Sequence, residues 1–334
     1  MIEILRSGPL NSVQDLGREG ALRWGVGRAG AMDPAALRLG NILVGNAPGE
    51  AGVEAAIFPF EIRFGTECAF AVTGAAAAGT LDGAPLPPLW AARARPGQVL
   101  SLASPNLGVF AYVTFAGGLD VPPFLGSRST DLKSGFGGMG GQPLRPGQKL
   151  ELRDHGAAAT VPDAGFGVSA SAAPGLRRGG DGASLIRVIA AAEWPDFDGD
   201  SATAFTSEPW TVSRRVNRQG YVLSGPTLRL REPRELLSHG IVPGVVQVPP
   251  AGQPIVQMAE ANTCGGYPKI ATVIEADLWR LAQTRSGGLI RFEPVSWDEA
   301  VSAERDTEAQ LEKLTASLSL ARSGLGTGRS PESP

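Results

Sequence analysis

The sequence predicts a mainly β protein of the barrel or sandwich type, and two observations support this class. The 334 residues include 45 glycines and 27 prolines, together 72 residues, well above the usual share of about 12%. Because glycine and proline punctuate regular elements, we expect many turns, short strands and few long helices. The second observation is a unit of one turn and one strand that recurs along the chain.

The recurring unit begins with proline and glycine and continues with alternating apolar residues. It occurs as RPGQVLSL at residues 95–102, as RPGQKLEL at 145–152 and, more loosely, as PAGQPIV at 250–256. Proline followed by glycine suits the two central positions of a type II turn. Alternation of apolar residues is typical of a half-buried strand. Repetition of this unit favours a barrel or a sandwich over a parallel α/β sheet.

Hydrophobic patterning predicts further strands and two helices. Asp33 and Pro34 suit the N-cap and the first position of a helix that Gly45 can end. A second helix is predicted at residues 275–285, with its apolar residues on one face. The further strands are predicted at residues 2–5, 60–64, 69–72, 109–115, 185–191, 211–213, 227–231, 245–248 and 290–293.

The chain divides into two domain-sized regions, predicted at residues 1–154 and 184–300. Between them, residues 155–183 are rich in Ala, Gly, Pro and Ser, a composition typical of a linker. Residues 301–334 are predicted to form a tail that begins as a helix, because its leucines are spaced for one helical face. The final GLGTGRSPESP is predicted to be disordered.

Charge and composition narrow the classes of function. The 30 basic and 33 acidic residues give a formal net charge of -3, so there is no electrostatic reason to expect nucleic acid or an anionic membrane as a partner. No signal peptide is recognised, and no apolar run reaches the roughly 20 residues of a membrane span, so we expect a cytoplasmic protein. Two cysteines and two histidines are too few for a zinc site, and no metal is predicted.

A glycine-rich segment matches a nucleotide-binding pattern in form but not in context. Residues 135–140, GFGGMG, fit G-x-G-x-x-G, yet no clear strand precedes them, and Pro143 and Pro146 stand where a helix should follow. A loop that presents its backbone is favoured over a dinucleotide site. The sequence contains neither a Walker-type loop nor a biotinyl-lysine sequence, so we expect ATP or biotin chemistry to depend on another chain.

Two other segments are candidates for substrate binding. Residues 126–130, GSRST, gather three hydroxyls around Arg128, which suits a carboxylate or phosphate. A turn with local capping bonds is the alternative. Residues 263–269, TCGGYPK, contain paired glycines whose backbone N–H groups could stabilise an oxyanion. A plain tight turn is the alternative there.

Six segments in chain order resemble the allophanate hydrolase subunit 2 family of biotin-dependent carboxyltransferases. This group includes the C subunit of 5-oxoprolinase (PxpC), the KipA proteins and carboxyltransferase subdomains A and B of urea carboxylase. The resemblance covers about residues 12–298. The segments are SVQDLGREG (12–20), GRAGAMDPAALRLGNILVGN (27–46), GSRST (126–130), GFGGMGG (135–141), VPGVVQVPPAGQPI (242–255) and GGYPKIATV (265–273).

The resemblance implies two cyclophilin-like β-barrel subdomains, A-like at residues 1–154 and B-like at 184–300. It also implies a partner protein of the PxpB or KipI type, homologous to carboxyltransferase subdomains C and D. The 5-oxoprolinase branch opens 5-oxoproline to L-glutamate with ATP hydrolysis, alongside a PxpA-like subunit. Because the chain lacks a biotin carrier and an ATP-grasp region, it looks more like the standalone 5-oxoprolinase subunit, inactive by itself.

Two alternatives follow from the other branches of the family. One is a biotin-dependent carboxyltransferase that acts on urea or a related amide. The other is a non-catalytic, KipA-like regulatory partner. Val222 and Ala261 stand where the family pattern has arginine. Loss of a cation that would hold a carboxylate or ureido oxygen changes the substrate or removes activity, so the KipA-like alternative gains support.

The resemblance also suggests roles for individual residues. Both enzymatic branches develop charge on an amide or ureido oxygen, so stabilisation of an oxyanion is the shared requirement. The candidate catalytic residues are Asp15, Arg18, Asp33, Tyr267 and Lys269. The candidate substrate-binding residues are Ser127, Arg128, Ser129, Thr130, Arg218, Tyr221, Thr263, Gly265 and Gly266.

Overall fold

The computed structural model describes residues 1–75, 78–153, 161–169, 179–234 and 236–325. Its architecture is mainly β, which confirms the predicted fold class. The first half of the chain forms two six-stranded sheets, and the second half closes a seven-stranded barrel. No helix among the described residues is long and apolar enough to cross a membrane.

The two sheets of the first half enclose a common core. One has the strand order β11-β1-β4-β9-β6-β7 and the other β12-β8-β5-β10-β3-β2. Phe64 of the first sheet and Phe70 of the second lie with ring centroids 5.0 Å apart, so aromatic side chains join the two layers. The strands are β1 Ile2–Arg6, β2 Ser12–Gln14, β3 Gly52–Ala55, β4 Phe60–Phe64, β5 Cys68–Gly74, β6 Gly79–Leu81, β7 Ala84–Leu86, β8 Trp90–Ala94, β9 Val99–Leu102, β10 Ala111–Phe115, β11 Lys149–Leu150 and β12 Phe166–Gly167.

The barrel of the second half has the order β13-β20-β17-β18-β15-β14-β21 and is closed by the parallel pairing of β13 with β21. A buried aromatic cluster fills one end, where Phe205 and Phe292 stack with centroids 4.4 Å apart. A two-stranded ribbon, β16 His239–Gly240 and β19 Cys264–Gly265, lies outside the barrel. The barrel strands are β13 Ser184–Ala190, β14 Trp210–Val216, β15 Gly220–Ser224, β17 Val245–Gln247, β18 Ile255–Gln257, β20 Lys269–Val273 and β21 Leu289–Pro294.

The helices begin and end close to where local chemistry predicts. In α1, the Asp33 carboxylate accepts the N–H of Ala36 at 2.9 Å, Pro34 occupies the first position, and Gly45 ends the helix with φ +82°. The helix predicted at 275–285 forms as α3, three residues shorter than expected. The four α-helices of the described residues are α1 Pro34–Val44, α2 Gly199–Ser207, α3 Glu275–Ala282 and α4 Trp297–Leu325.

The predicted turns before strands are present. Gln98 N–H donates to Arg95 O and Gln148 N–H donates to Arg145 O, each at 3.1 Å. Gly97 in the first of these turns has φ +89°, which a type II turn requires at its third residue. In the looser third unit the turn lies one residue earlier, because Gly252 N–H donates to Pro249 O.

The strand predicted at residues 227–231 is wrong. Leu230 makes an isolated bridge with Phe197, but the segment forms no ladder. Its backbone N–H groups donate elsewhere: Leu228 to Gly252 O, Arg229 to the Ser201 hydroxyl and Arg231 to Asp196 O. The apolar pattern there reflects packing against the barrel end rather than strand pairing.

The predicted linker and tail lie partly outside the described residues. Within 155–183, residues 161–169 are described and contribute β12 to the second sheet. Residues 154–160, 170–178 and 326–334, which include the predicted disordered end, are outside the description. The tail helix begins at Trp297, four residues before the predicted start.

Helix α4 packs back onto the first half of the chain. Leu311 and Leu318 are buried in one cluster with Leu39, Ile42 and Leu43 of α1. Arg38 of α1 makes a bidentate ion pair with Glu308 beside this cluster. The C-terminal helix therefore closes an apolar surface of α1 that would otherwise face water.

We predict that Leu311→Ala lowers the free energy of unfolding by about 2–4 kcal/mol, because it removes buried methyl groups and leaves a cavity. Leu320→Ala on the same helix is the matched control, since Leu320 is 74% exposed and its truncation should change stability by less than about 0.5 kcal/mol. Urea unfolding of both variants measures the difference. Equal effects would show that α4 does not dock as described.

Candidate functional site

Asp15 organises the serine-rich segment at residues 126–130. Its Oδ1 accepts hydrogen bonds from the hydroxyls of Ser127 and Ser129, each at 2.6 Å. Its Oδ2 accepts the backbone N–H of Arg128 at 2.5 Å. Since Asp15 follows β2 directly and is buried, its carboxylate fixes the segment against the sheet. The hydroxyls of both serines are thus already held by the protein itself.

The Arg128 guanidinium is the part of this segment that can meet a ligand. Its Nε donates to Val121 O at 2.9 Å, and the side chain is half-buried. No carboxylate lies within ion-pair distance of it in the described part of the chain. The Nη groups can therefore bind a carboxylate or another oxyanion from solution.

Arg18 lies next to this segment, but in the interior. Its Nη2 donates to the backbone oxygen of Ser129, and its guanidinium carbon lies 4.9 Å from the centroid of the Phe136 ring. Nε and Nη1 are buried without a partner in the described residues. Burial lowers the pKa of Arg18, while the charges of Asp131, Asp15 and Glu260 act in the opposite direction. Arg18 is thus a buried cation with unused donors.

The glycine-rich loop at residues 135–141 covers Arg18 and Thr130. Gly138 has φ +41°, and a Cβ there would clash with the Thr130 side chain. A Cβ on Gly137 would likewise clash with Arg18. Thr130 itself is fully buried, with its hydroxyl donating to Val13 O at 3.0 Å. The loop leads to β11 rather than to a helix, so its glycines serve close packing.

Arg218 joins the two halves of the molecule. Its guanidinium forms ion pairs with Glu54 of β3 and with Glu260, and donates to Gly30 O at 2.6 Å. All three charged side chains are at most 3% exposed. Burial lowers the pKa of Arg218, but the charges of both glutamates outweigh this, and the net shift is upward. Glu260 also accepts the N–H of Leu132.

Asp33 extends this network toward α3. Its Oδ2 accepts a hydrogen bond from Gln283 at 2.8 Å, and its backbone N–H donates to the Tyr112 hydroxyl, which in turn donates to Glu54. Burial raises the pKa of Asp33 to about 6, with a smaller contribution from the charge of Glu54. The bonds from Gln283 and Ala36 act against that rise. Asp33 thus caps α1 inside the contact between the halves.

The remaining candidates belong to the second half. Tyr221 is buried in the barrel, donates from its hydroxyl to Ala282 O at 3.1 Å, and has a raised pKa because of burial. Lys269 of β20 pairs with Glu193 at 2.9 Å. Gly265 pairs with His239 in the outer ribbon, and Thr263 O accepts the N–H of Ile241.

Tyr267 separates two surface depressions. On one side it lines a groove of about 840 Å³, together with Gly266, Pro268 and residues of the 227–236 segment. On the other side it lines a pocket of about 480 Å³ on the outer face of β14, β15, β17 and β18. The residue is 47% exposed.

The second of these depressions, here called the outer pocket, contains polar residues that sequence patterns did not single out. They carry no motif. For Gln247 and Gln257, alternation along the strand was the available signal, because it places their side chains outside the barrel. The polar residues of the outer pocket are Arg214, Arg215, Asn217, Gln219, Gln247, Gln257 and Asn262.

The predicted residues therefore form three groups rather than one. Asp15, Arg18 and residues 127–130 lie together in the first half. Arg218 and Asp33 lie in the buried contact between the halves, which Glu260 connects to the first group through Leu132. Tyr267 and its neighbouring glycines lie beside the barrel. The catalytic and binding roles of all these residues stay predictions.

Two features of the described residues bear on metals and nucleotide phosphates. They contain no group of three or more His, Cys, Asp or Glu side chains placed to hold a metal ion. A helix N-terminus favours negative charge, and an acidic side chain there competes with a bound phosphate. Each described α-helix instead carries acid there: Asp33 before α1, Asp198 before α2, Glu275 in α3 and Asp298 in α4.

Comparison with known proteins places this arrangement in a family. The sequence matches the carboxyltransferase domain, subdomain A and B, over residues 24–294. The chain belongs to this family. It is 41% identical over 318 residues to the C subunit of 5-oxoprolinase from Escherichia coli, with 94% of this chain and 97% of that protein covered.

Two further relatives extend the comparison. The C subunit of 5-oxoprolinase from Haemophilus influenzae is 40% identical over 320 residues, again with 94% of this chain and 97% of that protein covered. The crystal structure of the Kluyveromyces lactis urea carboxylase superposes with a TM-score of 0.85 at 27% identity. That match covers 94% of this chain and 29% of the longer protein. Both the resemblance found in the sequence and the mainly β fold are thereby confirmed.

The positions that depart from the family pattern have different surroundings. Val222 lies on the outward face of β15 and lines the outer pocket. Ala261 is buried, and its backbone lies against the segment around Gly27. A missing cation at 222 therefore changes a surface pocket, whereas one at 261 changes the contact between the halves.

We predict that Arg218→Met lowers the free energy of unfolding by about 3–5 kcal/mol, because it leaves Glu54 and Glu260 buried without a counter-charge. Adding Glu54→Gln should recover part of this loss. Arg63→Met, which breaks an exposed pair with Glu3, is the control and should cost at most about 1 kcal/mol. Urea unfolding at neutral pH measures all three. A small effect of Arg218→Met would contradict the network.

The raised pKa of Asp33 predicts a pH-dependent stability. Its folded pKa of about 6 exceeds the ordinary value of 3.8, so the folded state binds this proton more tightly. The resulting stabilisation is complete below pH 3.8 and is lost as the pH rises through 6; its size is about 3 kcal/mol. Relative to Asp33→Asn, which keeps the cap, the wild type should lose stability between pH 4 and pH 7.

Asp198→Asn is the control for this prediction. Asp198 also caps a helix, but hydrogen bonds from Ser201 lower its pKa, so its contribution grows rather than shrinks as the pH rises. Chemical unfolding of the wild type and both variants at several pH values gives the differences. A constant difference between the wild type and Asp33→Asn would argue against the buried, proton-binding Asp33.

Proposed function

We propose that this chain is the C-type subunit of a multi-subunit 5-oxoprolinase, which opens 5-oxoproline to L-glutamate with ATP hydrolysis. The observation that carries the proposal is the 41% identity to the C subunit of a 5-oxoprolinase, with both proteins covered almost end to end. The same level of identity to a second such subunit supports it.

Opening of a lactam needs a site that stabilises negative charge. Attack on the amide carbonyl develops charge on its oxygen, and positioned donors there lower the barrier. Arg128 supplies a guanidinium with free Nη groups, held in place through its backbone by Asp15. We assign Arg128 to the oxyanion that develops during the reaction, with Asp15, Ser127 and Ser129 as its positioning residues.

ATP is assigned to partner subunits in this proposal. The N-termini of the described α-helices all carry acidic side chains, which disfavour a phosphate there. Phe124 and Leu125 directly precede the serine-rich segment and are 45% and 44% exposed. Exposed apolar side chains beside open donors are typical of a protein interface. A PxpB- or KipI-like subunit, with a PxpA-like third subunit, would cover Arg128 there and exclude water.

A carboxyltransferase acting on urea or a related amide is the second candidate. The superposition on a urea carboxylase, with a TM-score of 0.85, favours it. It requires a biotinylated carrier supplied by another chain. It predicts that turnover depends on that carrier and that avidin abolishes it, whereas the 5-oxoprolinase reaction is indifferent to avidin.

We predict that the chain, co-expressed with its partner subunits, hydrolyses ATP in a 5-oxoproline-dependent reaction. Arg128→Ala should lower kcat/KM for 5-oxoproline by about 100-fold or more, as expected for the loss of a donor to a developing oxyanion. Arg95→Ala, at an exposed turn, is the matched control. Steady-state ATPase assays with 5-oxoproline, urea and other amides measure the effect.

The outcomes separate the candidates. Urea-dependent, avidin-sensitive turnover would favour the carboxyltransferase. A stable complex without turnover on any amide would favour a KipA-like regulatory protein. Full activity of Arg128→Ala with 5-oxoproline would remove Arg128 from the site but leave the proposed reaction standing.

A further inference from the structure

The outer pocket has a floor made of two amide side chains. Gln247 of β17 and Gln257 of β18 are 4% and 6% exposed, although both project from the outside of the barrel. Gln257 Nε2 donates to Gln247 Oε1 at 2.9 Å. Buried amide groups need polar partners. Because these two amides hydrogen-bond to each other on the outer barrel face, they give the pocket an ordered polar floor.

Half of the Gln257 amide is left available to a ligand. Its Nε2 carries two protons and uses one of them on Gln247, while its Oε1 has no hydrogen-bond partner among the described residues. A primary amide with one free donor and one free acceptor matches a cis amide, which offers an acceptor C=O beside a donor N–H. Lactams and ureido groups present this pair of groups.

One glycine makes room for the amide pair. Gly220 of β15 stands directly opposite Gln257 in the ladder, but a Cβ there would meet Val256 O and the Ile255 side chain rather than the amide. Gly265 lies against Gln247, and a Cβ there would come within 2.8 Å of Gln247 Nε2. Gly265, one of the paired glycines of the 263–269 segment, therefore leaves space for the Gln247 side chain of the pocket.

The rim of the pocket is positively charged. Arg214 and Arg215 of β14 are both exposed and both line it. An irregularity in the pairing of β14 with β15, between Val212 and Val216, lets neighbouring residues face the same side. Neither arginine has an ion-pair partner in the described part of the chain, so both are open to an anion.

The walls complete the pocket with apolar and aromatic surface. Val222 and Ile255 lie between the amide floor and the arginines on paired positions of β15 and β18. Tyr267 closes the side toward the larger groove. With a volume of about 480 Å³, the pocket lies within the usual range of small-molecule sites, about 300–1,000 Å³.

We propose that the outer pocket binds a compact ligand that carries a cis amide next to a carboxylate, with the amide on Gln257 and the carboxylate on Arg214 and Arg215. Within the proposed function, on which this inference rests, the ligand is 5-oxoproline, whose lactam and carboxylate lie on one ring. The arginines distinguish it from urea, which has the amide geometry but no carboxylate.

The proposal gives Arg214 and Arg215 a role in specificity. A lactam without a carboxylate, such as 2-pyrrolidinone, can use Gln257 but not the arginines. L-Proline has the carboxylate but lacks the ring carbonyl, so it can use the arginines but not the amide. The two fragments therefore test the two ends of the pocket separately.

The experiment measures KM and kcat of the reconstituted complex with four variants of the full chain. Arg214→Ala/Arg215→Ala removes the rim charge, Gln257→Met removes the free amide, and Val222→Phe fills the pocket without touching either. Arg229→Ala, an exposed arginine of the larger groove, is the matched control. Thermal unfolding and co-purification with the partners establish that each variant is folded and assembled.

We expect the double arginine variant to raise KM for 5-oxoproline by about 10-fold to 100-fold, the usual range for lost bonds to a charged group, with kcat little changed. Its inhibition by L-proline should weaken in parallel, while inhibition by 2-pyrrolidinone should not. Gln257→Met should weaken inhibition by 2-pyrrolidinone but not by L-proline. Val222→Phe should weaken inhibition by both compounds, and Arg229→Ala should change neither.

The failures are distinguishable. Suppose that the wild-type complex hydrolyses 5-oxoproline, and that Arg214→Ala/Arg215→Ala and Gln257→Met leave the KM for 5-oxoproline unchanged. The assignment of the pocket is then overturned, and the proposed function stands. If the wild-type complex has no 5-oxoproline-dependent turnover, the proposed function fails and the assignment falls with it. If biotin or urea competes while L-proline does not, the pocket is a ureido site, and the carboxylate part of the proposal is wrong.

Discussion

The contact of Arg218 with Glu54 and Glu260 is the constraint on which the arrangement of the two halves depends. Glu54 belongs to a sheet of the first half, while Arg218 and Glu260 flank strands of the barrel. Burial of three charges is costly, and their mutual attraction offsets that cost only when the geometry is held closely. The network therefore favours one relative position of the halves over others.

The charges around this contact extend beyond the three residues. Two glutamates face Arg218. Burial lowers the pKa of nearby Arg18, and attraction to Asp131, Asp15 and Glu260 offsets this only in part. Burial also raises the pKa of Asp33 to about 6, and the charge of Glu54 contributes to a smaller degree. The unpaired donors of Arg18 are thus stabilised by distributed charge rather than by one partner.

The features that were predicted correctly from the sequence are turns and helix ends, which residues close together in the chain determine. The two RPGQ turns formed because proline, glycine and the following glutamine set the turn within four residues: Gln98 and Gln148 each accept the N–H of the preceding arginine through their side chains. Asp33 and Gly45 bounded α1 for the same reason. The strand predicted at residues 227–231 was wrong because the hydrogen-bond partners of this segment are loops and a helix end distant in sequence. An apolar pattern does not indicate which partners a segment will have.

The candidate site was predictable in part, for a related reason. Asp15 and residues 126–130 could be singled out as motifs, but not as one cluster, since the segment begins 111 positions after the aspartate. Gln247 and Gln257 carried no signal beyond strand alternation. Their significance depends on Gly265 leaving space beside Gln247 and on the hydrogen bond between the two amides, and that relation exists only once the barrel is closed.

The loss of arginine at position 222 takes on a different meaning in this geometry. A side chain at 222 projects into the outer pocket, and Arg214 and Arg215 line the same pocket from the adjacent strand. A guanidinium reaches several ångströms from its backbone, so a cation supplied from β14 can meet a ligand that a cation from β15 would otherwise meet. With Val222 at this position, the pocket still contains the positive charge of Arg214 and Arg215. The departure from the family pattern is therefore compatible with an anionic substrate, and by itself it does not favour a non-catalytic protein.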